Sequence, residues 1–226
     1  MFPGLIAVCF LSSLHLVSGY KKFISWAFHK SFLSFGSGVS LSYVFISLLP
    51  SIAKEDALLK SKLGHIPFMD KYAYALVLLG ILFYSFIDRK KFSKDFSWLP
   101  NTGYFFFNFL LGSILTDTND PEIQPLVLFT IAIGMHNFIS DYFLKTFKKP
   151  HLAWALVFML FAGYITSSLI NIPDFIMAIA VAFAAGGVIL HVFLVENPAE
   201  SIKHYFIFVL GALIYSSILL TIGTRG

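Results

Sequence analysis

The stretch Leu126–Lys145, LVLFTIAIGMHNFISDYFLK, decides how the whole chain is read. About twenty helical residues cross a ~30 Å hydrocarbon core, and this run is apolar except near its middle and at Lys145. The exception is His136-Asn137-Phe138-Ile139-Ser140-Asp141. At about 100° per residue, His136, Asn137, Ser140 and Asp141 fall within an arc of roughly 140° on one helix face. Ionisable groups at membrane depth are costly and turn towards a protein interior or a wet cavity. That face is expected to meet other helices at a polar pocket near the midplane. A plainer reading of the same residues is packing glue, with His136 and Asp141 bonded to each other or to a neighbouring helix.

The rest of the composition agrees with a membrane. Of 226 residues, 58% are hydrophobic and 12% charged, with a mean hydropathy of +0.80. A soluble domain carries about 25% charged residues. The basic excess follows from lysines at helix ends and comes with no base-stacking motif, so nucleic acid is not an expected partner. The single cysteine, Cys9, excludes an intrachain disulfide and any cysteine-built zinc site. The first apolar run lacks a basic leader and is followed by Lys21-Lys22, so it reads as a retained span instead of a signal peptide.

Eight spans account for the apolar runs within a single transmembrane domain, residues 1–226. They are Phe2–Gly19, Ser31–Leu49 closed by Pro50, Lys71–Ile87, Tyr104–Thr116, the opening stretch, His151–Ile170, Phe175–Val195 and Lys203–Ile222. The fourth is short: thirteen residues rise only about 20 Å, with Thr102 as its N-cap. Ser51–Asp70 reads as a weakly amphipathic interfacial connector. Lys21, Lys22, Lys30, Arg89, Lys90, Lys91, Lys94, Lys145, Lys148, Lys149 and Lys203 then share one side. The positive-inside rule makes that side cytoplasmic, leaving both termini on the non-cytoplasmic side of a cell membrane. The acidic loop Asp117–Glu122 lies outside and reads as a solvated turn.

Two internal repeats appear. FGSGVSLSYVFISLLP (Phe35–Pro50) aligns without gaps on FAAGGVILHVFLVENP (Phe183–Pro198), with Phe35/Phe183, Gly38/Gly186, Val44/Val192, Phe45/Phe193 and Pro50/Pro198 identical. Phe107-Asn108-Phe109-Leu110 aligns on His136-Asn137-Phe138-Ile139. Spans one to three then repeat as spans six to eight around a central pair. An odd number of spans per unit makes the repeat inverted, a plan that places a transport site between the copies.

With these features on the page, the chain resembles the ZIP (ZRT/IRT-like) metal-transporter family. The likeness covers nearly the whole chain: eight spans, outside termini and a 3+2+3 arrangement with inverted repeats. AFAAGGVILHVFLVENPAE and FVLGALIYSSILL resemble that family's last two spans. The family carries roughly H-N/S-x-x-D-G in span four and H-E-x-P-H-E in span five, which build a metal site on the transport path. Here Asn108 and Gly112 match the first motif, while Phe107 and Leu111 stand where it has His and Asp. His136 matches the second motif and Asp141 is a shortened acid at its last position. Asn137 replaces the first Glu and Ser140 the second His.

The resemblance therefore implies at most one divalent metal ion, zinc-like, held as substrate by His136 and Asp141, with Asn108 and Asn137 adding carbonyl oxygens. A zinc site usually has three strong ligands plus water, and two are offered. His191, aligned with Tyr43 through the repeat, is the first candidate for a third; Glu196, Asn197 and His15 lie near the cytoplasmic ends. A lone membrane histidine is more often a packing residue than a ligand.

The expected activity is transport of a divalent cation or another small solute through a site formed by Asn108, His136, Asn137, Ser140, Asp141 and His191. The alternative is a non-transporting scaffold or subunit on the same fold, suggested by the apolar Phe107 and Leu111. No enzyme chemistry is expected: no two histidines are four apart within a span, and Ser140 lacks an oxyanion site. The bilayer is the expected partner, and a homodimer is left open.

Overall fold

The computed structural model describes residues 2–18, 30–64, 70–87, 99–116, 123–143, 150–194 and 201–223. Within these residues the chain is all-α, with eight helices and no strand. They are α1 (Phe2–Val17), α2 (Lys30–Leu63), α3 (Tyr72–Ile87), α4 (Leu99–Ile114), α5 (Ile123–Phe143), α6 (Pro150–Leu169), α7 (Asp174–Leu194) and α8 (Ile202–Gly223). Four hold stretches long and apolar enough to cross a membrane: Lys30–Leu63, His151–Leu169, Asp174–Leu194 and Ile202–Thr221. The shorter apolar stretches are Phe2–Val17, Tyr72–Ile87, Thr102–Ile114 and Leu126–Asp141. Large apolar side chains such as Leu78, Leu82, Phe158, Phe206 and Leu213 point outward. A continuous apolar exterior suits lipid, and helices satisfy their own backbone there. Most of the basic residues that set the expected orientation, the loop Asp117–Glu122, and Glu196 and Asn197 lie outside the described residues.

Two expectations are corrected. Pro50 does not close the second span, and the connector after it is not a separate interfacial segment. Helix α2 runs on to Leu63 through a π-helical turn at Val44–Leu48, where the Leu49 N–H bonds the Val44 carbonyl. The widened turn accommodates the ring and missing N–H of Pro50, which sits in the first turn of the following α-helical segment. At its far end Asp56 is buried and caps the next helix: its Oδ1 accepts the Ala73 N–H at 3.0 Å, and Oδ2 pairs with Lys60 at 2.8 Å. The fourth span also starts earlier than Tyr104. Helix α4 spans Leu99–Ile114, so Thr102 lies within it and is not its N-cap.

Close crossings hold the bundle together. The broadest pairings are α2 with α8, α4 with α6 and α3 with α7. Each depends on glycines that let backbones touch. A Cβ on Gly38 would lie 2.1 Å from the Phe208 carbonyl oxygen and 2.7 Å from the Ala212 nitrogen. One on Gly186 would lie 2.3 Å from the Val77 oxygen and 2.7 Å from the Ile81 nitrogen. Reciprocally, Gly211 meets the Phe35 oxygen and Gly80 meets the Phe183 oxygen.

The two crossings are one crossing made twice. Phe35 and Gly38 stand to Phe183 and Gly186 as in the sequence repeat, and Val77, Gly80 and Ile81 match Phe208, Gly211 and Ala212 at equal spacing. This register exposes a further repeat, Leu79-Gly-Ile-Leu-Phe-Tyr84-Ser85 with Leu210-Gly-Ala-Leu-Ile-Tyr215-Ser216. Exchanging helices one to three for six to eight, and α4 for α5, turns α2–α8 into α7–α3, α1–α5 into α6–α4, and α2–α5 into α7–α4; all six pairs are in contact.

Candidate functional site

Five helices converge on a cavity of about 20 Å³ open to the centre of a water-sized sphere. That is room for one water or a small ion. Helix α1 brings His15, α3 Tyr84, α4 Tyr104, Phe107 and Asn108, α5 His136, Asn137, Ser140 and Asp141, and α7 Gly187 and His191. All six residues expected from the sequence, Asn108, His136, Asn137, Ser140, Asp141 and His191, line this one space and are buried. His15, Tyr84, Asp141 and His191 lie in the C-terminal parts of their described helices, and Phe107 and Asn108 lie midway along α4.

The centre of the site is a hydrogen-bonded chain across three helices. His15 Nδ1 lies 2.7 Å from Asp141 Oδ2, and His15 Nε2 lies 2.9 Å from Asn108 Oδ1. The Asn108 amide donates to the Tyr104 carbonyl at 2.9 Å, which turns its oxygen towards the imidazole. Nε2 therefore carries a hydrogen. The short Nδ1–Oδ2 contact holds a second one, whether the pair is imidazolium–carboxylate or imidazole–carboxylic acid. Either way the pair is neutral overall. The Ser18 hydroxyl bonds the His15 carbonyl at 2.7 Å and lies 3.2 Å from Asp141 Oδ2.

This neutrality is what burial requires. His15 is 1% exposed and Asp141 3%. No Lys or Arg occurs in α1 or in α3 to α7, so histidine is the cationic partner those helices offer. An unpaired buried carboxylate costs several kcal/mol.

Around the pair the lining is aromatic and polar. The His136 ring meets Phe107 edge-on at 6.3 Å between centroids and His191 at 5.9 Å. The Tyr104 hydroxyl lies 3.5 Å from His191 Nε2. Asn137 Nδ2, Ser140 Oγ and the Tyr84 hydroxyl are buried with no hydrogen-bond partner among the described residues. Buried polar atoms are nearly always satisfied, so these three offer bonds to a polar occupant within a lining whose surface is otherwise mostly apolar.

The metal expectation finds limited geometry. His136 and Asp141 share the cavity, yet Asp141 is turned to His15. No three His, Cys, Asp or Glu come together as a metal-holding group among the described residues. Phe107 and Leu111 are buried, as their apolar character implies. A second cavity, about 410 Å³ and lined by Glu55, Thr116, Ser167, Asn171 and Asp174 among others, lies at the opposite helix ends. Along α4, Thr116 follows Asn108 by roughly 12 Å of helix rise. The buried Leu111 and Leu115 fall between them.

Sequence reading ranked His15 low and missed Tyr84, Tyr104 and Gly187. The signal for His15 was its depth, since the span count places it at the same end of its helix as Asp141. The signal for Tyr84 was its counterpart Tyr215. No family model matches this chain, and no curated protein or solved structure matches it.

Proposed function

We propose that this chain is a divergent ZIP-like membrane transporter, an eight-span protein of 3+2+3 plan with inverted repeats that moves a small cation between α4 and α5. The observation that carries the reading is the convergence on one cavity of the five residues singled out by motif position, Asn108, His136, Asn137, Ser140 and Asp141, together with His191, singled out by the repeat. The duplicated glycine crossing supports the repeat. The central cavity midway along α4 and the second cavity past its C-terminal end, with Leu111 and Leu115 between them, support a path closed on one side. Asp141 is the carboxylate that attracts the cation; His136 supplies a nitrogen, and Asn108 and Asn137 supply carbonyl oxygens. A zinc-like divalent ion remains the first cargo to try. The orientation, with both termini on the non-cytoplasmic side, rests on the distribution of lysines alone.

Uptake by vesicles containing the purified protein, with Zn²⁺ as probe, tests this. His136→Ala or Asp141→Asn is expected to abolish uptake. Uptake that survives the double variant removes both residues from the mechanism.

A second reading has its own observation. Without a three-ligand group among the described residues, and with Phe107 and Leu111 packed at the centre, the fold also suits a scaffold or subunit that transports nothing. That reading expects no stoichiometric metal by elemental analysis after purification without chelators.

A further inference from the structure

Among the described residues Asp141 is the one carboxylate lining the central cavity, and its Oδ2 is already occupied. We propose that His15 is a resident plug: it holds the place of the transported cation on Asp141 and Asn108, and it must leave before a cation binds. This rests on the cation-transport reading above.

The contacts themselves make the case. His15 reaches two oxygen acceptors, Asp141 Oδ2 at 2.7 Å and Asn108 Oδ1 at 2.9 Å. Those are the atoms a cation would take, and both belong to the motif helices α4 and α5. Nor is His15 posed as a ligand. Its Nε2 carries a hydrogen because the Asn108 amide is held by the Tyr104 carbonyl, and its Nδ1 faces the carboxylate. Neither ring nitrogen presents a lone pair to the cavity.

The ring arrives on a helix that is firmly seated. Gly4 of α1 lies against the Leu115 backbone, and Gly134 of α5 gives room to Phe10, Leu11 and Leu14. The wall beside the ring holds the unpartnered Asn137 Nδ2 and Ser140 Oγ. Removing the imidazole extends that polar space to the carboxylate. Competition with the plug weakens the apparent affinity of a cation in inverse proportion to the unplugged fraction, so about tenfold when about a tenth of the molecules are unplugged.

The test is a titration of Co²⁺, whose visible absorption reports nitrogen and oxygen coordination, into the purified full-length chain in detergent. His15→Ala is expected to bind Co²⁺ more tightly than wild type, on the order of tenfold. Adding Asp141→Asn should remove the gain. Free imidazole added without Co²⁺, filling the space left, should raise the thermal midpoint of His15→Ala more than that of wild type. Affinity in His15→Ala equal to or below wild type overturns the plug, because the ring is then a spectator or a ligand. If His15→Ala fails to fold, His15→Gln keeps one contact at a time and should show a smaller gain; no gain again overturns the plug. Absence of Co²⁺ binding in wild type and every variant overturns the cation reading and the plug with it. Wild-type binding that His15 variants leave unchanged overturns the plug alone.

Discussion

Around Gly38 and Gly211 the space beside the α2–α8 crossing is filled, whereas around Gly186 and Gly80 the space beside the α3–α7 crossing opens into the cavity. In the filled copy Val39 and Tyr43 are buried, Tyr43 meets Phe129 edge-on at 6.0 Å, and the Tyr215 hydroxyl donates to the Leu128 carbonyl at 2.5 Å. In the open copy the equivalent positions are Gly187, His191 and Tyr84. A Cβ on Gly187 would come within 2.8 Å of the Tyr84 ring, so the glycine is what lets that ring sit there. The Tyr84 hydroxyl then ends at the cavity without a partner among the described residues. One backbone crossing thus serves for packing in one copy and for a site in the other. The difference lies in two side chains, Val39 against Gly187 and Tyr43 against His191.

The largest expected effect falls on the charge that the filled copy lacks. Asp141 aligns with Gly112, which packs against the Leu160 backbone. Asp141→Ala leaves His15 without its partner and should cost about 3–5 kcal/mol, read as a fall in the thermal midpoint in detergent. A loss well under 1 kcal/mol would mean that the pair is not held together as described. The crossings come next. Gly38→Ala and Gly186→Ala each press a methyl onto backbone and should cost about 1–3 kcal/mol, by equal amounts; a clear inequality would break the equivalence of the two copies.

Gly187→Val copies Val39 into the open half. It should displace the Tyr84 ring at a cost of about 1 kcal/mol and abolish vesicle uptake while the protein stays folded. Full uptake by that variant would take the cavity off the path. The tyrosines give the smallest effect. Tyr215→Phe should lose about 1 kcal/mol with its hydrogen bond, and Tyr84→Phe should lose next to nothing. Equal losses in paired melting curves would show that the Tyr84 hydroxyl has a partner after all.

Much of this was legible in the chain before any coordinates. Long apolar runs mark helices whatever their partners, because lipid demands them, and the polar face of α5 declares itself against an apolar background. The Phe35–Pro50 repeat was legible because glycine and proline matches carry weight among apolar residues. The α3–α8 repeat was not, because leucines match by chance in such segments and only the crossing gives the register. Pro50 was misread since a π-helical turn leaves no local mark in sequence. His15 was underrated for a different reason: its partner is 126 positions away, and pairing over that distance is decided by helix packing.

Phe45 and Phe193, equivalent in the repeat, touch each other with ring centroids 6.3 Å apart. Phe107 and His136, equivalent in the central pair, do the same at 6.3 Å. Where a position packs against its own counterpart, a change of side chain in one copy alters the packing of the other. The contact at Phe45 and Phe193 joins two like rings, whereas the contact at Phe107 and His136 joins unlike ones, and both members of that second pair line the cavity.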